Sequence, residues 1–511
     1  MGIPSFYRQI CRRFPRIVTG VSVGQKGSEW LCLDFNCAMY HVLRSQSPWT
    51  PEGGATWERN FCMAIAAYMN QIVAVGAPSR GVYISCDGVV CAAKRRQQRL
   101  RRFKGPWFSA ATAEVEGKAT AKLAAAPSWD QNALTPGSAF MGLLGRILQA
   151  EGAALATRTG LTVVVSTTGS PGEGEHKLLG HMRYVKPSSC MIYGLDADLI
   201  LLAMLLHQET GARVELLREA QEFETKGSAS SSDVQWKLLH VVELVTALGL
   251  TTASIPSFVA GMSLLGNDFL PRSLTRTVRD NGIPQLITSL TAWGPLVAAD
   301  GSLSKAGLRK LVGCWAAYEE DDMTYAVKAA IKAQGRYYPT DLEKWAATPA
   351  VRCGIAALFD PATDALKVGW RDIYRSWCRQ DVAGYCAGFA WVWDYYKGRP
   401  VDQGWFFEPH LPPLWCDIAA YLDSASPLVL GPPPIVYPTP LPEWLHLFAV
   451  LPAESIERLL PEHAALMIEI PWYWPTRWSL FDIGRTQMWE CEAVLPIPSD
   501  AVLRALTPIK S

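Results

Sequence analysis

The chain has 511 residues, with 48 basic against 47 acidic side chains and 49% hydrophobic residues. That length allows two or three domains around a sizeable core, and the apolar content excludes a disordered chain. A net charge of +1 argues against a uniformly basic nucleic-acid binder, yet Lys94–Lys104 (KRRQQRLRRFK) holds seven basic residues and no acid, so the rest of the chain carries 41 basic against 47 acidic groups. Concentrated charge of this kind suits a local anion pocket. Thirteen cysteines occur without a CxxC pair or zinc-spaced histidines, which speaks against zinc and for reduced, intracellular thiols; cytoplasm and nucleus are not distinguished. The opening MGIPSFYRQI has no apolar leader core, and Phe6 breaks the myristoylation pattern. No uncharged apolar run reaches the roughly 18 residues of a membrane span.

In chain order, Trp30–Phe35 (WLCLDF) is a β-rich run that contains Asp34 near its end, and Trp57–Val75 follows with helical character. Gly81–Cys86 is a second β-rich run, with Asp87 directly after it. Within the basic segment, Lys94, Gln98, Arg101 and Arg102 fall at i, i+4, i+7 and i+8 and share one helix face. A solvated helix or a nuclear localisation signal would have the same composition, but a start seven residues after Asp87 favours a phosphate pocket, since Lys and Arg suit phosphate. Ala110–Ala126 is expected as a surface helix and Ala139–Leu155 as a further helix. The runs Leu161–Ser166 and Met191–Leu195 are β-rich, with Glu173 and Glu175 (PGEGEH) after the first and Asp196 and Asp198 (GLDADL) after the second. Lys226–Asp233 (KGSASSSD) reads as a linker, Asp268 ends the apolar run GMSLLGNDFL, and Leu290–Asp381 is helical in pattern. Ser426–Pro442 is Pro-rich and expected to be extended, ahead of the Trp-rich PWYWPTRW.

Strands alternating with helices imply a parallel or mixed sheet covered on both faces, and such sheets bind ligands outside the carboxyl ends of their strands. Any one of the seven acids could be a cap or turn residue. Five adjoining separate apolar runs, or sharing a motif with one that does, point to a shared site. Unpaired carboxylates are expensive to bury, and divalent cations offset that cost: Mg²⁺ takes a few carboxylates with retained water, and two ions roughly 4 Å apart can clamp a phosphoryl displacement.

These motifs together resemble the Xrn family of 5′→3′ exoribonucleases, related in fold to flap-endonuclease and PIN-like nucleases. The resemblance is carried by MGIPSFYR, LCLDFN, CDGVVCAAKRRQQRLRRFK, NALTPGSAFM, SPGEGEHKL, YGLDADLILL, LLREA and LLGNDFLP. It continues through YCAGFAWVWDYYKG, WFFEPHLPP, LFAVLPAES and WECEAVLP. It implies an α/β fold: a mixed, largely parallel sheet flanked by helices, with a mainly helical second region. The division expected is 1–225 for the nuclease region, 226–425 for the second region completing the active site, and 426–511 for a Pro/Trp-rich part packing on the core. It also implies that Gly2 is structural and that the chain is a nuclease core without a long extension.

By position, the resemblance implies that Asp34, Asp87, Glu173, Glu175, Asp196, Asp198 and Asp268 are catalytic metal ligands, for two Mg²⁺ or alternatively Mn²⁺. Lys94, Gln98, Arg101 and Arg102 match the residues that hold a 5′-phosphate; Arg95, Arg96 and Arg99 point elsewhere, toward solvent or RNA backbone. Three departures stand out. Tyr40, with His41 beside it, replaces the family's stacking histidine. Cys91 and Ala92 replace Pro-Arg. A paired tryptophan pattern is reduced to Trp405. Tyr40 and Trp405 are therefore the expected nucleotide-stacking residues. The function implied is Mg²⁺-dependent degradation of single-stranded 5′-monophosphorylated RNA to 5′-mononucleotides. The alternatives are a structure-specific flap endonuclease on DNA, which the second-half motifs disfavour, and a non-catalytic RNA-binding scaffold, which retention of all seven acids disfavours.

Overall fold

The computed structural model describes residues 3, 5–21, 27–115, 129–220, 235–333, 354–424, 430–485 and 490–506. The expected linker Lys226–Asp233 and the structural role of Gly2 lie outside these residues, as does most of the expected helix Ala110–Ala126.

A seven-stranded sheet organises the first half. Its strands are β1 (Val18–Gly20), β2 (Trp30–Asp34), β3 (Gly81–Ser85), β4 (Thr162–Ser166), β5 (Ser189–Tyr193), β6 (Arg213–Glu219) and β7 (Trp236–His240), in the order β1-β7-β6-β5-β2-β3-β4. β2 pairs in parallel with β3 and β5, β3 with β4 and β5 with β6. β7 runs antiparallel to both β6 and β1. The mixed, largely parallel sheet expected from sequence is present. Its seventh strand lies past residue 225, so the α/β region continues to His240; the hydrogen bonds of β6 are completed by β7 across the chain in between.

β2 is buried at every residue, as a strand with helices on both faces must be. Alternation divides it: Trp30 and Cys32 pack into one apolar layer, Leu31 and Leu33 into the other. The helices in this half are α1 (Phe6–Arg13), α2 (Asn36–Leu43), α3 (Gly54–Gly76), α4 (Ala92–Val115), α5 (Ala139–Thr159), α6 (Gly174–Val185) and α7 (Asp198–Thr210). Residues of α2, α3 and α5 fill one layer, while α1, α6 and α7 fill the other with helices of the second half, among them Ile255–Met262 and Val382–Tyr396.

The region after 240 is mainly helical, with short two-stranded pairs at Phe359–Asp360/Ala365–Leu366 and Ser479–Phe481/Glu492–Val494. The C-terminal helices Glu443–Val450 and Asp500–Ala505 contribute to a separate apolar cluster that also takes in Leu100 and Phe103 of α4. Among the described residues no single helix is long and apolar enough to cross a membrane. One bent pair, Val241–Ala247 with Thr252–Leu265, passes only in combination.

Candidate metal and phosphate site

The chain visits β2, β3 and β4 on one side and then returns to β5 on the other side of β2. The order of strands thus reverses between β2 and β5, and a crevice opens there at their carboxyl ends. Asp34 ends β2, Asp87 follows β3 by two residues, and Asp196 follows β5 by three. Glu173 is the N-cap residue of α6, Glu175 lies in its first turn, and Asp198 opens α7. Carboxylates at helix N-termini face the positive end of the helix dipole, which favours their charged form.

Close approach needs two glycines. A Cβ on Gly174 would lie 2.7 Å from Asp34 Oδ1, and one on Gly194 would lie 2.4 Å from Leu199 Cδ2 and 3.5 Å from Asp34 Cβ. With hydrogen in both places, α6 and the end of β5 close onto Asp34. The Gly174 N–H donates to Asp87 Oδ1 at 2.7 Å.

A cavity of about 140 Å³ results. Asp34, Asp87, Glu173, Glu175, Asp196 and Asp268 line it, together with Lys94, Gln98, Arg101, Arg102 and Tyr40. Asp198 lies just behind the wall, buried, with its Oδ1 accepting the Leu199 N–H at 3.1 Å. Ligand atoms of Asp34, Asp87 and Glu175 lie within 4.8 Å of one another.

So many carboxylates in one buried place do not ionise freely. Burial, and then Asp87 and Asp196, hold Asp34 well above the usual carboxylate range. Burial, then Glu173 and Asp34, do the same to Glu175, and burial pushes Asp198 up to about 7. Lys94 is the cation seated among them. Its Nζ lies 2.5 Å from Glu173 Oε2 and 2.9 Å from Asp268 Oδ2. Burial works against its charge, but Asp268, Glu173 and Glu175 outweigh that and raise its pKa well above the ordinary lysine value. Hard oxygen donors with unneutralised negative charge fit a divalent cation.

Sequence reasoning placed Lys94 on the phosphate; here its ammonium is held by acids, between them and the rest of the basic face. Arg102 is desolvated, and burial pulls its pKa down to about 10. The aromatic expectations divide. Tyr40 lines the cavity, and His41 stacks on Tyr68 instead, 4.8 Å between ring centroids. Trp405 does not reach the cavity. It packs 5.0 Å from Trp391 in the space left by Gly388, where a Cβ would come within 2.6 Å of the indole. Arg95, Arg96 and Arg99 are not free for solvent or RNA. Arg95 pairs with Asp500, Arg96 donates to the Glu408 carbonyl at 3.0 Å, and Arg99 donates to the carbonyls of Ala449, at 2.6 Å, and Tyr473. These three arginines fasten α4 to the C-terminal half of the chain.

Three further groups went unread in the sequence. Asn36 and Gln97 line the cavity, and the Asn36 Oδ1 accepts the Asp87 N–H at 3.2 Å. The Tyr395 hydroxyl donates to Glu173 Oε1 at 2.6 Å from the helix Val382–Tyr396. All three sit inside motifs that carry the resemblance, LCLDFN, CDGVVCAAKRRQQRLRRFK and YCAGFAWVWDYYKG, so the motif is visible while the side chain's duty is not.

An α/β domain with an acid-lined crevice at its switch point, faced by a basic helix, is the class that fold and site define. Residues 1–220 match the family described as XRN 5′-3′ exonuclease N-terminus. The chain is 28% identical over 388 residues to the 5′-3′ exoribonuclease 2 of Eremothecium gossypii, covering 61% of this chain and 40% of that protein. It is 27% identical over 350 residues to the 5′-3′ exoribonuclease 1 of Saccharomyces cerevisiae, covering 62% of this chain and 22% of that one. The chain thus spans well under half the length of these relatives. Among solved structures, the catalytic core of Rad2 in complex with DNA substrate aligns over 73% of this chain and 94% of its own at 13% identity, with a TM-score of 0.34.

Proposed function

We propose that this chain is a 5′→3′ exoribonuclease that removes 5′-mononucleotides from single-stranded RNA bearing a 5′-monophosphate. The observation that carries the reading is one cavity lined both by acids from separate strand ends and by the basic face of α4. The names of the relatives support RNA as the substrate.

In this reading Asp34, Asp87, Glu173, Glu175, Asp196, Asp198 and Asp268 hold divalent cations, two Mg²⁺ with Mn²⁺ as a substitute. Bound there, the cations supply a water acidified for attack and charge neutralisation at the scissile phosphate. The chain's own groups do the rest. Gln98, Arg101 and Arg102 seat the terminal phosphate by charge-assisted hydrogen bonds, while Lys94 bridges that seat to Glu173 and Asp268. With the terminal phosphate anchored, the next phosphodiester falls at the acids, so the cut comes one nucleotide in. A cavity of about 140 Å³ leaves little room for a cap or triphosphate. The Tyr40 ring is assigned to stack on a base near the 5′ end, a contact that tolerates any base.

The test uses the purified chain with end-defined RNAs. Release of mononucleotides from 5′-monophosphate RNA in Mg²⁺, abolished by EDTA and poor with 5′-hydroxyl or capped ends, is expected. Cleavage in EDTA, or a preference for branched DNA over RNA, would overturn the proposal.

A further inference from the structure

A second cavity, of about 250 Å³, adjoins the first. Its walls come from α4, from the turn 267–271, from Pro409 and from residues 490–492. Gln97, Arg101 and Asp268 line both cavities, so the two share a wall at the acids.

Most charged groups of the second cavity are spent within the protein. Lys104 Nζ donates to the Cys491 carbonyl at 2.7 Å, Arg485 pairs with Glu492 at 2.7 Å, and Arg272 with Glu490 at 3.0 Å. Besides Arg96 Nε, two neutral polar atoms are not spent. Gln97 Oε1 and Asn267 Nδ2 are both buried and have no hydrogen-bond partner. The orientation of Asn267 is fixed, because its Oδ1 accepts the N–H groups of Phe269 and Leu270 at 2.9 and 2.8 Å. An unpartnered buried amide group is costly, and here the acceptor and the donor belong to two residues that line one cavity. Phe269, Leu100, Leu270, Pro271 and Pro409 supply the apolar part of the wall.

A chamber with an apolar wall, an unpartnered acceptor and unpartnered donors suits a planar heteroaromatic ring carrying both kinds of group on its edge. Every nucleobase has such an edge, and nucleobases are recognised by hydrogen bonds along it together with contact on an aromatic face. Arg101, on the shared wall, is placed for an attached phosphate.

We propose that this second cavity binds the base of a nucleoside 5′-monophosphate whose phosphate rests on Arg101. The ligand's identity as a reaction product rests on the exonuclease reading; the site itself does not. The chamber holds the released nucleotide beside the cleavage cavity, with its base between Gln97 and Asn267. Because the two amides ask only for one donor and one acceptor, the four common nucleotides bind alike.

The test is calorimetric titration of the full chain in Mg²⁺ with AMP and with ribose 5-phosphate, which has no base. AMP should bind about tenfold more tightly, the worth of one to two net hydrogen bonds, with GMP, CMP and UMP within a few-fold of AMP. Gln97→Ala should remove most of that advantage and leave ribose 5-phosphate unaffected. Asn267→Asp, which keeps the acceptor that caps its turn but loses the donor, should do the same, with ribose 5-phosphate correcting for the added charge. Equal binding of AMP and ribose 5-phosphate overturns the proposal. So does an advantage that survives both amide variants. RNA cleavage is measured separately. An active nuclease indifferent to the base sinks only this inference, and an inactive protein with the predicted pattern sinks only the exonuclease reading.

Discussion

The faces of helix α4 have nearly the same composition and opposite employment. Lys94, Gln98, Arg101 and Arg102 line the acid cavity. Arg95 and Arg99, each next to one of these in sequence, are buried against the C-terminal region, on Asp500 and on two backbone carbonyls. Arg99 also lies 4.4 Å from the Phe103 ring centroid and 5.1 Å from that of Trp474. The difference teaches that a run of basic residues does not declare its partner. Helical phase does: roughly 100° per residue turns one arginine to the crevice and its neighbour to the core. It also explains why a site at the carboxyl ends of the central strands needs residues beyond 430, since the helix bearing the basic face is held from outside.

Breaking the cavity side should have the largest effect. Asp34→Ala or Asp196→Ala should lower the rate of mononucleotide release by about 10²–10³-fold, the usual loss when transition-state charge goes unstabilised. The melting temperature in EDTA should hold or rise for Asp34→Ala, because its carboxylate is already disfavoured by burial and by Asp87 and Asp196. A fall in stability that matches the fall in rate would make Asp34 a structural group instead.

Breaking the anchored side should show in stability. Arg95→Ala leaves Asp500, wholly buried, without its closest cation, and loss of one partner of a buried pair costs about 3–5 kcal/mol. Denaturant unfolding should report that loss, while the folded fraction keeps its preference for 5′-monophosphate ends. If the preference goes and the stability stays, the two faces have been assigned the wrong way round.

Arg101→Ala sharpens the contrast at smaller cost. Loss of one charge-assisted phosphate contact, about 1.5–3 kcal/mol, should reduce kcat/KM for 5′-monophosphate RNA by about 10–100-fold and barely touch 5′-hydroxyl RNA. Equal loss on both ends would make the face a general RNA track.

A further effect concerns pH without metal. Asp198 is pushed by burial up to about 7 from an ordinary value of 3.8, so folding favours its neutral form. That stabilisation is complete below the unfolded value and is lost as pH rises through about 7. In EDTA the melting temperature should therefore fall between about pH 4 and pH 8, and Mg²⁺, binding only the folded chain, should restore it at the alkaline end. A metal-free melting temperature that climbs over that range would mean the acids are already neutralised from within.

Much of this was legible in the sequence, for physical reasons that also mark where legibility ended. β2, β3, β4 and β5 are short apolar runs with acids close behind, and burial on both faces makes such strands continuous in hydrophobicity. β6 (RVELLRE) and β7 (WKLLH) carry charges among their apolar residues and were not picked out as strands. The cluster of acids was readable because the sheet topology gathers strand ends. The fate of Arg95 and Arg99 was not, because their partners lie some 350 to 400 residues away. Trp405 was misplaced for a similar reason: Gly388, 17 residues earlier, opens the slot that takes its ring. The second cavity draws its walls from four separated segments, and no spacing in the chain announces it.

The central claim is that phosphate seat and acids form one site, so that anchoring the 5′ end fixes where the chain is cut. The most direct measurement follows RNA labelled at its 5′-monophosphate through the first turnover in Mg²⁺. The account predicts that all released label appears as mononucleotide from the earliest time point. Label released in oligonucleotides of two or more residues would contradict it, because the cut would then be set by something other than the distance from Arg101 and Arg102 to the acids.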